Sequence, residues 1–434
     1  MKLNVKEPGL TTVEGAPARR ITPELQLRRS VMSCMLWEKN FYEDGETIAD
    51  RIKSLIPKVD AEKVAAMAIE AREDMKLRHV PLLIVREMAR GSKEYRRLVA
   101  DTLARVIQRA DELSEFMAIY WQDGKQPISK QVKLGLAKAF LKFNEYQLAK
   151  YDSKDAKVKL RDVLFLVHAK PQDKAQEKLW KRLANNDLKT PDTWEVALST
   201  GEDKKKTWTR LLKEGNLGAL AFLRNLRNMT EVGVSKTVIR KAFEDMDVSR
   251  VLPFRFITAA RYAPQYEPEL EALMLRSISS RPKLDGKTAI LVDVSGSMNE
   301  VISDKSEVRR LDVASGVAML ARELGEDVSI YTFSEKLFIC PPRRGFALRD
   351  SIVNSQPHSG TRLGASVDHL NKNIKYDRLI VITDEQSRDQ VPNPKGLGYM
   401  INVSTNKNGV GYGPWVHIDG WSESVLDYIS ASER

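Results

Sequence analysis

The segment TAILVDVSGSMN, Thr288–Asn299, passes without a break from an apolar run into a loop of oxygen donors. Ala289, Ile290, Leu291 and Val292 have the composition and length of a strand buried on both faces, as in a parallel sheet. The run ends in Asp293-x-Ser295-x-Ser297, one carboxylate and two hydroxyls on alternate positions. Such a loop offers only hard ligands, which suits Mg²⁺ or a similar divalent cation.

Outward from that strand, the sequence beyond Pro282 alternates strand-like and helical runs. They are Thr288–Val294, Arg309–Leu324, Asp327–Phe333, Lys336–Cys340, Ala347–Asn354, Gly364–Asn373, Tyr376–Thr383, Leu397–Thr405, Trp415–Ile418 and a last helix from about Ser422. Apolar strands alternating with helices predict a doubly wound parallel α/β sheet, whose ligands bind outside the carboxyl ends of the strands. Asp293 falls at such an end. Ser359-Gly360-Thr361 precedes the helix at Gly364, and Tyr376–Thr383 runs into Asp384-Glu385. Asp293, Ser295, Ser297, Thr361 and Asp384 are therefore placed to meet on one edge. They would neutralise about two charges of a divalent cation and leave a position open for water, a carboxylate or a phosphate.

Residues 1–22, rich in Gly, Pro and Thr, read as an extended lead-in. From Pro23 to about Ser280 the pattern is helical. Asp60 is suited to cap the helix carrying Val64, Met67, Ala68, Ala71 and Met75, Pro81 suits a first helical turn, and Gly91 a stop. Tyr95–Trp121 reads as one long helix or two, and Lys130–Tyr151 as one. Lys159–Ala169, Asp173–Asn185, Asp192–Leu198, Lys204–Lys213, Gly218–Asn228, Ser235–Met246, Pro253–Arg261 and Glu267–Ile278 follow. Short joints between helices of this length suggest a helical-repeat solenoid, although no fixed-period repeat is present. In Gly218–Asn228, Leu220, Leu223 and Leu226 are the expected packing residues.

The net charge of +11 is uneven. Residues 286–434 hold 17 of the 70 Lys and Arg and 19 of the 59 Asp and Glu, a net of −2, which leaves +13 on residues 1–285. A basic helical region attracts polyanions, RNA or DNA foremost. No apolar run is long enough to span a membrane, and the N-terminus lacks the apolar core of a secretory signal. Cys34 and Cys340 allow at most one disulfide, so a reduced cytoplasmic protein is expected. The cysteine and histidine spacing excludes the common zinc patterns. VSGSM is not a nucleophile elbow, no phosphate-binding GxxxxGK[ST] occurs, and Gly409-x-Gly411-x-Gly413 runs into Pro414 as a hairpin-like loop. A non-enzyme is expected.

Asp293-x-Ser295-x-Ser297, Thr361 and the strand-terminal Asp384 resemble the metal-ion-dependent adhesion site of von Willebrand factor A domains, over about Leu284 to Ser432. AFLKFNEYQLAKYDSK (Ala139–Lys154), LVHAKP (Leu166–Pro171), LGALAFLRNLRNMT (Leu217–Thr230) and VLPFRFITA (Val251–Ala259) are similar to the TROVE module of Ro autoantigen, telomerase-associated and vault RNA-binding proteins. Their order before the metal loop extends the resemblance from about Leu25 to Ser432. It implies an extended lead-in at 1–22, a TROVE domain at 23–283 built as an all-α, HEAT-like helical-repeat ring, and a doubly wound α/β von Willebrand A domain at 284–434 closing that ring.

The resemblance further implies small structured (Y-like) RNA on a basic outer surface and single-stranded 3′ ends of misfolded RNA in the central hole, as in RNA quality control. Lys150, Lys154, His168 and Lys170 match the family's Y RNA face, and Arg224 and Arg227 are candidates for the lumen. A 3′-exonuclease such as polynucleotide phosphorylase, bridged by RNA, is the implied partner, and a monomer is expected. The rival reading is a metal-dependent protein-interaction scaffold whose ion site binds acidic partners.

Overall fold

The computed structural model describes residues 22–33, 45–75, 77–152, 156–199, 201–249, 251, 254–279, 281, 283–301, 308–403, 410, 413–419 and 424–433. Cys34, Lys154, residues 1–21, and Gly409 and Gly411 of the expected hairpin-like loop lie outside the described residues. The chain divides into two compact units, one of residues 22–31 and 46–203 and one holding residues 204–434.

The first unit is all helix: α1 (Pro23–Ser33), α2 (Gly45–Leu55), α3 (Ala61–Glu73), α4 (His79–Arg90), α5 (Lys93–Val106), α6 (Asp111–Tyr120), α7 (Lys130–Phe140), α8 (Glu145–Tyr151), α9 (Leu160–Val167), α10 (Lys174–Ala184) and α11 (Trp194–Ser199). Asp60 caps α3 by accepting from the amides of Glu62 and Lys63, and Gly91 ends α4. The stretch Lys130–Tyr151, expected as one helix, is two. Asn144 Oδ1 accepts from the Gln147 amide at 2.9 Å while Gln147 Oε1 accepts from the Asn144 amide at 3.0 Å, a capping box that restarts the chain as α8.

Alternate helices stack, α3 on α5, α5 on α7 and α7 on α9, with α4 on α6 beside them. This is the packing of successive helical hairpins. Gly135 shows how close α5 and α7 come: a Cβ there would lie 2.9 Å from both the Ala100 carbonyl oxygen and Leu103 Cβ. A buried ion pair sits among them. Arg72 Nη2 meets Glu112 Oε1 at 2.6 Å and Arg72 Nε donates to the Val106 carbonyl at 2.9 Å. Glu112 Oε2 accepts from the amides of Gln108 and Arg109, so a wholly buried carboxylate is fully satisfied.

The second unit begins with α12 (Lys204–Lys213), α13 (Ala219–Glu231), α14 (Lys236–Asp245), α15 (Phe254–Tyr262) and α16 (Glu267–Ile278). The buried face of α13 passes through Ala219, Phe222, Leu223, Leu226 and Met229. Leu220, expected in the core, falls one position off that face and is 45% exposed. The sheet and its helices follow: β1 (Leu284–Asp293), α17 (Arg310–Leu324), β2 (Gly325–Phe333), β3 (Leu337–Ile339), α18 (Gly345–Val353), α19 (Leu363–Asn373), β4 (Arg378–Thr383), β5 (Leu397–Asn402), β6 (Trp415–Asp419) and α20 (Ser424–Ser432).

Alternate stacking continues here through α12, α14 and α16 and through α13 and α15, and then α17 packs on α15 and α18 on α16. The first helices of the α/β part thus take the next places in the helical succession. Arg261 and Asp312 pair at 2.5 Å, and the Phe346 amide donates to Glu271 at 2.5 Å. This continuity explains why the helices from Lys204 onward group with the sheet.

The strand order is β3-β2-β1-β4-β5-β6, winding both ways from a central β1. All neighbours are parallel except β3, which runs antiparallel to β2. The expectation of a wholly parallel sheet is corrected at that edge, because the short Ser334–Lys336 joint can only reverse the chain. Ala289–Val292 are buried as a strand between two neighbours demands. Cys340 is a buried free thiol whose pKa burial pushes up to about 11. No helix among the described residues is long and apolar enough to cross a membrane.

Candidate functional site

Asp293 ends β1 beside β4, whose next residue after Thr383 is Asp384, so the topology alone brings the two carboxylates to one sheet edge. Both are wholly buried. Asp293 Oδ1 accepts from the Ser295 amide at 2.8 Å, Oδ2 accepts from the Thr383 hydroxyl at 2.6 Å, and the Ser295 and Ser297 hydroxyl oxygens lie 3.3 Å apart. The loop before α19 is held against this one. The Gly296 amide donates to the Ser359 carbonyl at 2.9 Å, and His358 Nδ1 donates to the Val294 carbonyl at 2.6 Å. Thr361, two residues on, is buried, and its hydroxyl has no hydrogen-bond partner among the described residues.

Burial, and then the charge of Asp384, push the Asp293 carboxyl up to about 7. Two carboxylates buried at one edge disfavour each other's ionisation, and a neighbouring cation would relieve that cost. Among the described residues no three His, Cys, Asp or Glu side chains form a metal cluster, so the donor set is two carboxylates and hydroxyls. Oxygen ligands of this kind fit Mg²⁺ rather than zinc. Asp293, Ser295, Ser297, Thr361 and Asp384 are the residues that would hold it.

Other groups at this edge have no motif in the sequence. Arg310, the first residue of α17, reaches Asp384 Oδ2 with Nη1 at 3.3 Å. Glu385, buried and at φ +60°, accepts from the Val410 amide and faces His417 Nδ1, each at 3.1 Å. The Thr383–Asp384–Glu385 strand end was the only signal for the latter.

In the helical unit, His168 and Lys170 line a groove of about 530 Å³ together with Ile128, Lys130, Lys133, Leu134, Ala137, Lys138, Leu141 and Val167. Lys130, Lys133, Leu134, Ala137 and Lys138 share one face of α7 by their spacing, and Leu141 follows at its C-terminal cap. The groove has an apolar floor, four lysines, one histidine and no acidic lining residue. Lys138 pairs with Asp101 at 2.7 Å, while Lys130 and Lys133 have no acidic partner among the described residues. His168 caps α9 in the left-handed conformation, φ +52° and ψ +43°, a position usually given to glycine. Its side chain is exposed at the groove.

Lys150, Arg224 and Arg227 are not among the residues that line this groove. Lys150 Nζ sits 5.9 Å from the Tyr146 ring and 5.8 Å from that of Tyr151. The helix carrying it ends at Tyr151. Arg224 and Arg227 are exposed on α13 in the other unit, Arg227 stacking over Tyr262 at 5.3 Å and facing Glu231. The lysines of α7 carry no signal in the sequence, because their basic spacing is common on solvated helices.

A succession of stacked helices leading into an α/β domain with a carboxylate and hydroxyl loop at its central strand end defines a helical-repeat protein with a von Willebrand A-like domain. Residues 181–311 match the TROVE domain family model. Telomerase protein component 1 of Mus musculus is 34% identical over 91 residues, and that of Rattus norvegicus is 33% identical over the same length. Each match covers 20% of this chain, and the chain spans only 4% of the length of these relatives. The crystal structure of the Deinococcus radiodurans RO (RSR) protein shares the fold, with a TM-score of 0.66 at 18% identity over 94% of this chain and 99% of that one.

Proposed function

We propose that this protein binds RNA without cleaving it, as a ribonucleoprotein component of the Ro type. The observation that carries the reading is the α7–α9 groove, where lysines surround an apolar floor beside an exposed histidine in a strained backbone conformation. Lysines attract the phosphates, and His168 and the aliphatic floor give a base a surface to stack on. The TROVE match and the RO-like fold support the same reading. We extend it to Y-like small RNA on the basic helices, single-stranded 3′ ends of misfolded RNA, and an exonuclease partner bridged by RNA, acting as a cytoplasmic monomer. The loop at Asp293 is a Mg²⁺ site that anchors its domain.

Mobility shift with a structured RNA and with the same RNA carrying a single-stranded 3′ tail tests this. The expected result is binding that weakens steeply with salt, with intact RNA recovered after incubation in Mg²⁺. No shift at low salt refutes RNA binding. Cleavage lost on Asp293→Ala replaces it with a nuclease.

A further inference from the structure

The chain itself supplies one cation to the buried carboxylate pair. Arg310 is only 11% exposed, and its Nη1 donates to Asp384 Oδ2 at 3.3 Å and to the Ser297 carbonyl at 3.2 Å. Its Nη2 meets Glu300 Oε2 at 2.6 Å, and Glu300 is 63% exposed. The backbone fixes the base of this arm, because the Arg310 amide donates to the Glu300 carbonyl at 3.0 Å. Asp384 Oδ1 accepts from the Gln386 amide at 3.2 Å, so Arg310 holds the oxygen that the backbone leaves free. One guanidinium therefore spans a wholly buried carboxylate at the ion site and an exposed carboxylate outside it.

We infer that Arg310 is a tethered cation that competes with the divalent ion for Asp384. Without the ion, it supplies the positive charge that balances Asp384 in the interior. A divalent ion held by Asp384 would repel the guanidinium beside it, and that repulsion would favour the arginine's contact with Glu300 over its contact with Asp384. The ion site is then a two-position switch, and its affinity is set by residues that are not ligands. This rests on the reading of the Asp293 loop as a divalent-cation site.

Calorimetric titration of the full chain with Mg²⁺, and with Mn²⁺ as a second probe, tests the inference. Arg310→Gln raises ion affinity by on the order of tenfold, within the usual range for coupled sites. Thermal unfolding supplies the second readout: Arg310→Gln melts below the wild type in EDTA and recovers most of the difference when the ion is added. Glu300→Gln, at an exposed side chain, removes the outer anchor and lowers ion affinity several-fold. Unchanged or weakened ion binding in Arg310→Gln, with wild-type binding intact, overturns the competition. If neither protein binds either ion while Asp384→Asn melts like the wild type, the ion-site reading itself falls, and the competition with it.

Discussion

Replacing His168 by glycine separates the two roles assigned to it. At φ +52° and ψ +43° an L-residue carries a penalty of about 1–2 kcal/mol, at the low end for histidine, which tolerates this region better than most. Glycine removes that strain but loses roughly 0.5–1 kcal/mol more backbone entropy on folding. The His168 side chain is exposed and makes no hydrogen bond among the described residues to offset the balance. His168→Gly is therefore neutral to stabilising, by up to about 0.5 kcal/mol, whereas His168→Ala keeps the strain and gains nothing. If His168 stacks on a base, both variants lose about 1–3 kcal/mol of RNA affinity, roughly a 5- to 150-fold change. Urea unfolding and fluorescence anisotropy with a labelled tailed RNA measure the two quantities on the same samples. A glycine variant that is destabilised by more than the alanine variant refutes the assignment of backbone strain. Wild-type RNA affinity in both refutes the assignment of His168 to RNA.

Other parts of the structure give further expected outcomes. Glu112→Ala strands Arg72 without its partner in the interior and should cost about 3–5 kcal/mol in urea unfolding, while RNA binding by the protein that remains folded is retained. Gly135→Ala forces α5 and α7 apart and should cost about 1–3 kcal/mol, whereas alanine at Lys133 on the same helix should change stability little. Lys133→Ala with Lys170→Ala should reduce the salt dependence of single-stranded RNA binding, by about 0.7 in the log–log slope for each phosphate no longer neutralised. Asp293→Ala should abolish Mg²⁺ binding in calorimetry and leave RNA affinity near that of the wild type, because the ion loop and the α7–α9 groove lie in separate units.

Much of the fold was legible because its signals are local. Asp60, Gly91 and the Gly and Pro joints mark helix ends by their own chemistry, and Ala289–Val292 declares a central strand by composition. The capping box at Asn144 was equally local but was hidden by an uninterrupted helical pattern around it. Asp293 and Asp384 could be placed at one sheet edge from the strand order, but Arg310 could not. It enters the site only through the packing of α17, and nothing in its neighbours distinguishes it from the arginine before it. The lysine face of α7 was hidden for a different reason. Basic residues on a helix are ordinary until a groove and an exposed histidine stand beside them.

Ultraviolet crosslinking of the full chain to a single-stranded tailed RNA, with the attached peptides mapped by mass spectrometry, examines the central claim most directly. Crosslinks are expected to concentrate in Lys130–Leu141 and Val167–Lys170, and to disappear when Lys133 and His168 are replaced together. Crosslinks confined to residues 204–434, or unaffected by those substitutions, would contradict RNA binding in the α7–α9 groove.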